Sequence, residues 1–158
     1  MAIDLKKVYL NEFHINNHAK FIPFAGYSMP INYDEGIIKE HIQVRKFAGL
    51  FDVSHMGQIL IPINETNTNT LLKFIPLNIE SMIFYKCYYS FLLNEFGGVI
   101  DDLIISKIKY QDNQFFYIVY NSSRKEVDEK IFFNNLVDYF LLENNSLIAI
   151  QGPNAEKT

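Results

Sequence analysis

One stretch of this chain constrains the fold more than any other. Residues Cys87 to Leu93 are a run of aromatic and aliphatic side chains, and Asn94-Glu95-Phe96-Gly97-Gly98 follows with turn-forming residues. Val99 to Ile108 is apolar and extended again, which predicts a hairpin closed by a five-residue loop. A polar turn at Gln111-Asp112-Asn113 leads into a third strand over 115–120. Three consecutive strands of this kind form an antiparallel sheet whose apolar face must be covered by another layer.

The rest of the chain supplies that layer. A helix is expected over 35–47, with Asp34 as N-cap, Ile37, His41 and Val44 on one stripe, and Gly49 at the stop. Asn64 is placed to cap a second helix running to about Ile75, with Leu71, Leu72 and Ile75 as its apolar contacts. Ser123-Arg124-Lys125-Glu126 has the form of a capping box and opens a third helix to about Val137. Short extended pieces are expected at 20–24 and 31–33, separated by Gly26 and broken by Pro23 and Pro30, with further strands at 50–53, 57–63 and 147–151. Hairpins mixed with intervening helices imply an α+β domain with a largely antiparallel sheet and packed helices. With no Pro-rich or Gly/Ser-rich linker and no repeat, residues 1–158 read as one continuous domain.

Composition then excludes several classes of function. An apolar share of 49% fills a core at a length of 158 residues. Fourteen Lys+Arg against 18 Asp+Glu give a net charge of -4, so no basic excess drives binding to nucleic acid or to an anionic membrane. Cys87 is the only cysteine, which rules out an internal disulfide and a CxxC motif. Asp4, Lys6, Lys7 and Glu12 interrupt the first thirteen residues, so these read neither as a secretory signal nor as an Arg-rich transit peptide. The longest apolar runs, such as Tyr139-Phe140-Leu141-Leu142, are too short to cross a bilayer. A soluble, cytoplasmic protein is expected.

Asp101-Asp102 is the most informative polar feature. It lies in Val99-Ile100-Asp101-Asp102-Leu103-Ile104-Ile105, where strand alternation sets Asp102 with Ile100 and Ile104 and sets Asp101 with Val99, Leu103 and Ile105. Both faces are apolar, so at least one carboxylate lies against a hydrophobic wall and needs a donor, a cation or a ligand. Spacing alone leaves two readings open: a strand-end Asp that shapes the turn, or a functional carboxylate. Asp52, Ser54 and His55 are too close in sequence to converge as a hydrolytic triad, and they read as a sharp connection between strands. His14 and His18 have ligand-like spacing but no further ligand nearby, so they read as part of a surface loop and no metal site is expected. Cys87 reads as a small core thiol, and Tyr89 as a residue able to line a pocket for a flat aromatic ligand.

The chain also resembles a known family. The blocks are Phe24-Ala25-Gly26-Tyr27-Ser28-Met29-Pro30, Val44-Arg45, Gly49-Leu50-Phe51-Asp52-Val53-Ser54-His55-Met56-Gly57, Tyr88-Tyr89-Ser90, Gly97-Gly98-Val99-Ile100-Asp101-Asp102-Leu103-Ile104, Tyr120-Asn121-Ser122-Ser123-Arg124-Lys125-Glu126-Val127-Asp128 and Ile150-Gln151-Gly152-Pro153. In this order they resemble the N-terminal part of the aminomethyltransferases of the glycine cleavage system, the T-proteins. Tyr27 departs from the family, which usually carries Trp there.

The resemblance implies transfer of an aminomethyl group from the lipoyl arm of the H-protein to tetrahydrofolate. The products would be 5,10-methylenetetrahydrofolate, ammonia and the reduced arm. It matches Asp102 to the family's essential aspartate, and Met56, Tyr89, Ile104, Val119 and Asn121 to positions that line, or adjoin, the folate pocket. It also implies a chain more than twice as long, whose missing portion completes the pocket, so weak folate binding and negligible turnover are expected of these residues alone. Two other readings are a folate-dependent demethylase of the same superfamily and a non-catalytic folate-binding module. The Asp-Asp strand weighs against the second.

Overall fold

The computed structural model describes residues 4–158; the first residues of the stretch tested above for a leader lie outside it. In chain order the elements are β1 (Lys6–Lys7), α1 (Asn11–Asn16), β2 (Lys20–Phe24), β3 (Tyr27–Asn32), α2 (Gly36–Lys46), β4 (Gly49–Asp52), β5 (Gly57–Pro62), α3 (Glu65–Leu71), β6 (Cys87–Leu93), β7 (Val99–Tyr110), β8 (Asn113–Tyr120), α4 (Lys125–Asn135), β9 (Phe140–Leu141) and β10 (Ile148–Gln151). This is an α+β fold with largely antiparallel sheets. Among the described residues no helix is long and apolar enough to cross a membrane. The chain divides into two compact units, Met1–His55 with Asn144–Thr158, and Met56–Glu143.

In the first unit, β2 and β3 form an antiparallel hairpin, and β1 adds in parallel to β3. β4 and β10 form a separate antiparallel pair, from Asp52 opposite Ile148 to Gly49 opposite Gln151. Helix α2 falls where expected, but Asp34 does not cap it. Its carboxylate pairs instead with His18 Nδ1 at 2.9 Å, while Glu40 reaches back to accept from the Tyr33 N–H at 2.7 Å.

The segment carrying His14 is helix α1 rather than a surface loop. His14 is 4% exposed, its Nε2 lies 2.8 Å from Asp52 Oδ2, and its Nδ1 lies 2.7 Å from the Tyr33 hydroxyl. With the ring neutral, Nε2–H donates to the carboxylate and Nδ1 accepts from the phenol. Asp52 Oδ1 also accepts from the Ser54 N–H at 2.9 Å. Burial works to raise the Asp52 pKa, but the bonds from His14 and Ser54 outweigh it and hold the group below its ordinary value. This buried polar link was invisible to local pattern, because its members are dispersed along the sequence from His14 to Ser54.

In the second unit five strands form one antiparallel sheet in the order β6-β7-β8-β5-β9. Asn94 closes the β6–β7 hairpin by accepting from the N–H groups of Phe96 and Gly98, and Gly97 takes the positive φ of +78° that the turn demands. One face of the sheet presents Ile59, Ile61, Leu103, Ile105, Phe116, Ile118 and Tyr120 to the core. Leu71, Ile75 and Ile79 cover it from α3 and the segment after it, and Phe132 and Leu136 from α4 and its end. Asn64 caps α3 as expected, accepting from the Asn67 N–H at 2.8 Å. Three local expectations fail here. Leu72 is turned out to solvent, Cys87 is an exposed thiol rather than a core one, and Ser123 forms no cap because a 3-10 turn over Ser122–Arg124 precedes α4.

Candidate functional site

The ladder registers decide which side chains of the second unit share a face. Tyr89 and Val119 both lie opposite Ile104, and Phe91 lies opposite Asp102. Residues directly opposite in a ladder point the same way. Tyr89, Asp102, Ile104 and Val119 therefore share one face, while Asp101, Leu103 and Ile105 line the core face. Gly57 pairs with Tyr120, so Met56, one residue earlier, falls at the register position next to Asn121. All six residues singled out from the sequence thus gather at one end of the same sheet.

Asn121 ties this end together. Its Nδ2 lies 3.1 Å from Asp102 Oδ1, 3.2 Å from the Asp102 carbonyl oxygen and 3.0 Å from Asp101 Oδ1. The Tyr89 phenol stands beside Asp102 on this face. Its pKa is raised, by desolvation of the phenol and then by the charge and hydrogen bond of that carboxylate. Tyr89 is 64% exposed and Ile104 43% exposed. Asp102 is thus fixed by the Asn121 amide yet bordered by open aromatic and aliphatic surface. Such a surface fits a flat heteroaromatic ligand that carries N–H donors, since the ring can lie on Tyr89 and Ile104 while a carboxylate oxygen accepts. Further along the same face, the Tyr117 hydroxyl donates to Gln58 Oε1 at 2.7 Å, and burial and then the nearby Cys87 push its pKa up to about 12.

On the core side, Asp101 meets a residue that sequence reasoning missed. Asp128 lies on α4 in line with Phe132 and Leu136, at a spacing of four, where the helical period calls for an apolar side chain. That break in the stripe was the available signal. Asp128 is 0% exposed. Burial, and then the hydrogen-bonded and charged Asp101 carboxyl, push its pKa up to about 8. Arg124 opposes the shift and Glu129 adds to it.

A family model described as the GCVT N-terminal domain matches residues 10–158. The chain belongs to that family. The aminomethyltransferase of Chloroherpeton thalassium is 42% identical to it over 96% of this chain and 42% of the relative. The mitochondrial aminomethyltransferase of Dictyostelium discoideum is 38% identical over 97% of this chain and 40% of the relative. The crystal structure of the glycine cleavage system aminomethyltransferase T from Bartonella henselae superposes with a TM-score of 0.83 at 35% identity, covering 98% of this chain and 42% of that one. The chain therefore spans about two-fifths of the length of these family members.

Proposed function

We propose that this chain provides the Asp102 face of a tetrahydrofolate-dependent aminomethyltransferase, which takes its one-carbon unit from the lipoyl arm of an H-protein in the cytoplasm. The observation that carries the reading is the Asp102 carboxylate, held by Asn121 beside Tyr89 on an otherwise apolar, open sheet end. Membership in the family supports it. The portion of the relatives beyond this chain would supply the rest of the pocket.

Tetrahydrofolate, when bound, supplies the amine nitrogens that take up the one-carbon unit. The protein's own part is electrostatic and positional. As the carbon–sulfur bond to the lipoyl arm breaks, the thiolate leaves with the electron pair and positive charge grows on the aminomethyl carbon. A carboxylate already fixed beside that carbon stabilises the charge without having to reorganise. Asn121 keeps Asp102 in place, which lowers the entropy cost of aligning donor and acceptor. Ile104, Val119 and Met56 provide apolar surface for the pterin, and Asn121 can also reach its polar edge.

The donor distinguishes this reading from a demethylase. The assay uses the chain completed with the remainder of the Chloroherpeton relative. Methylenetetrahydrofolate is expected from aminomethylated H-protein, at least about a hundredfold faster than from methylated amines or sulfonium compounds, a margin set by several recognition contacts of ~1–3 kcal/mol each. Preference for a methylated small molecule would establish the demethylase reading. Folate binding without transfer from any donor would establish the non-catalytic one.

A further inference from the structure

We infer that Asp128 is a positioning residue for Asp102: a proton shared between the Asp128 and Asp101 carboxyls holds Asp101, and through Asn121 sets the place of the Asp102 carboxylate. The functional part of this inference rests on the aminomethyl-transfer reading. The structural part does not.

Asp101 Oδ1 accepts from Asn121 Nδ2 at 3.0 Å, which leaves Asp101 Oδ2 and both oxygens of Asp128. All three are buried, and no N–H or O–H donor from another residue reaches them. After burial, the hydrogen bond and the charge of the Asp101 carboxyl nevertheless act on Asp128 more than any other group does. Two ionised carboxylates so placed would repel in a site that cannot solvate them, whereas one proton between them makes a strong, charge-assisted bond. The protonated Asp128 therefore donates to Asp101 Oδ2. Asp101 is pinned at both oxygens, by Asp128 and by Asn121. The same Asn121 amide is then held at the distance from which it also meets Asp102 Oδ1.

The other groups around Asp128 do not replace this proton. Arg124, at the 3-10 turn before the helix, favours the ionised form of Asp128 but donates to the Ile100 carbonyl, at 3.4 Å. Glu129, next along α4, disfavours ionisation of Asp128 and accepts instead from the Tyr120 hydroxyl at 2.8 Å. Tyr120, on β8, has its own pKa raised by burial, then by Glu129 and, more weakly, by Asp128 and Glu143, so it stays neutral. As pH rises, the Asp128 proton is therefore the first of these to leave. Its loss puts two like charges together, and the Asp101–Asn121–Asp102 chain is released.

The test begins with carboxyl ¹³C and side-chain amide ¹⁵N spectra of the chain, without donor or acceptor. Asp128 Cγ is expected to titrate near pH 8, well above an ordinary Asp, and the Asn121 amide resonances to move with the same midpoint. In Asp128→Asn, whose amide donates to Asp101 permanently, the Asn121 response should disappear. Titration of Asp128 near pH 4, or an Asn121 amide indifferent to it, would overturn the inference.

In the completed enzyme, transfer should fall about tenfold per pH unit above the Asp128 midpoint, as for any single essential protonation. Asp128→Asn should remove that alkaline limb while staying within about threefold of wild type at pH 6.5, and Asp128→Ala should lose about tenfold or more throughout. A purely structural role would leave the limb in place in Asp128→Asn, and that result would overturn the positioning claim even with transfer intact. Conversely, coupled titration of Asp128 and Asn121 in an enzyme that transfers nothing would sink the aminomethyl reading and leave the carboxyl pair standing.

Discussion

Asp102→Asn, in the chain completed with the remainder of a relative, is expected to lower kcat by about 10²–10³ while tetrahydrofolate affinity changes less than about threefold. The magnitude is that of removing one preorganised electrostatic partner from a developing charge, about 2.7–4 kcal/mol. Asn keeps the shape of the side chain, and its Oδ1 can still accept from Asn121. It loses the negative charge. Ground-state packing of a ring on Tyr89 and Ile104 is untouched, so the loss falls on the transition state. An equal rise in KM with kcat unchanged would instead make Asp102 a folate-binding residue.

The second large effect is on stability. Gly57→Ala should cost about 3 kcal/mol, because overpacking of a well-filled core is rarely relieved without strain. A Cβ at Gly57 would stand 2.0–2.5 Å from three ring carbons of Tyr120. That ring cannot yield: it is 1% exposed, packs edge-on against Phe132 with centroids 5.6 Å apart, and is tethered by its hydroxyl to Glu129. At about 2–4 °C per kcal/mol for a chain of this size, the melting temperature should fall by about 6–12 °C. Since Tyr120 adjoins Asn121 and pairs opposite Gly57 in the ladder, the variant should also weaken the link to Asp102. A melting temperature within about 1 °C of wild type would show that the ring moves aside.

Much of this site could be read from the sequence because it is built on strands. Turn chemistry at Asn94–Gly98 and the run of apolar residues fixed the β6–β7 hairpin, and alternation then assigned Asp101 and Asp102 to opposite faces. The Asp-Asp pair itself did not reveal which face was open. That followed from the covering layer, which buries Leu103 and Ile105 and leaves Ile104 exposed. What stayed hidden were partners brought together by tertiary packing. His14 meets Asp52 and Tyr33 from a six-residue helix too short to announce itself by period, and Asp128 meets Asp101 across the core. Cys87 was misplaced for the opposite reason: small apolar residues are usually covered, and here the first residue of β6 is left exposed. The capping motif at Ser123 failed because the chain enters α4 through a 3-10 turn, which places Arg124 rather than Ser123 at the N-cap.

The central proposal is that these residues provide the Asp102 face of a larger site. Titrating tetrahydrofolate into the ¹⁵N-labelled chain tests this most directly. Weak binding is expected, with chemical-shift changes concentrated at Met56, Tyr89, Asp102, Ile104, Val119 and Asn121 and reduced in Tyr89→Ala. Saturating tetrahydrofolate that leaves those resonances unmoved, or moves a different surface, would contradict it.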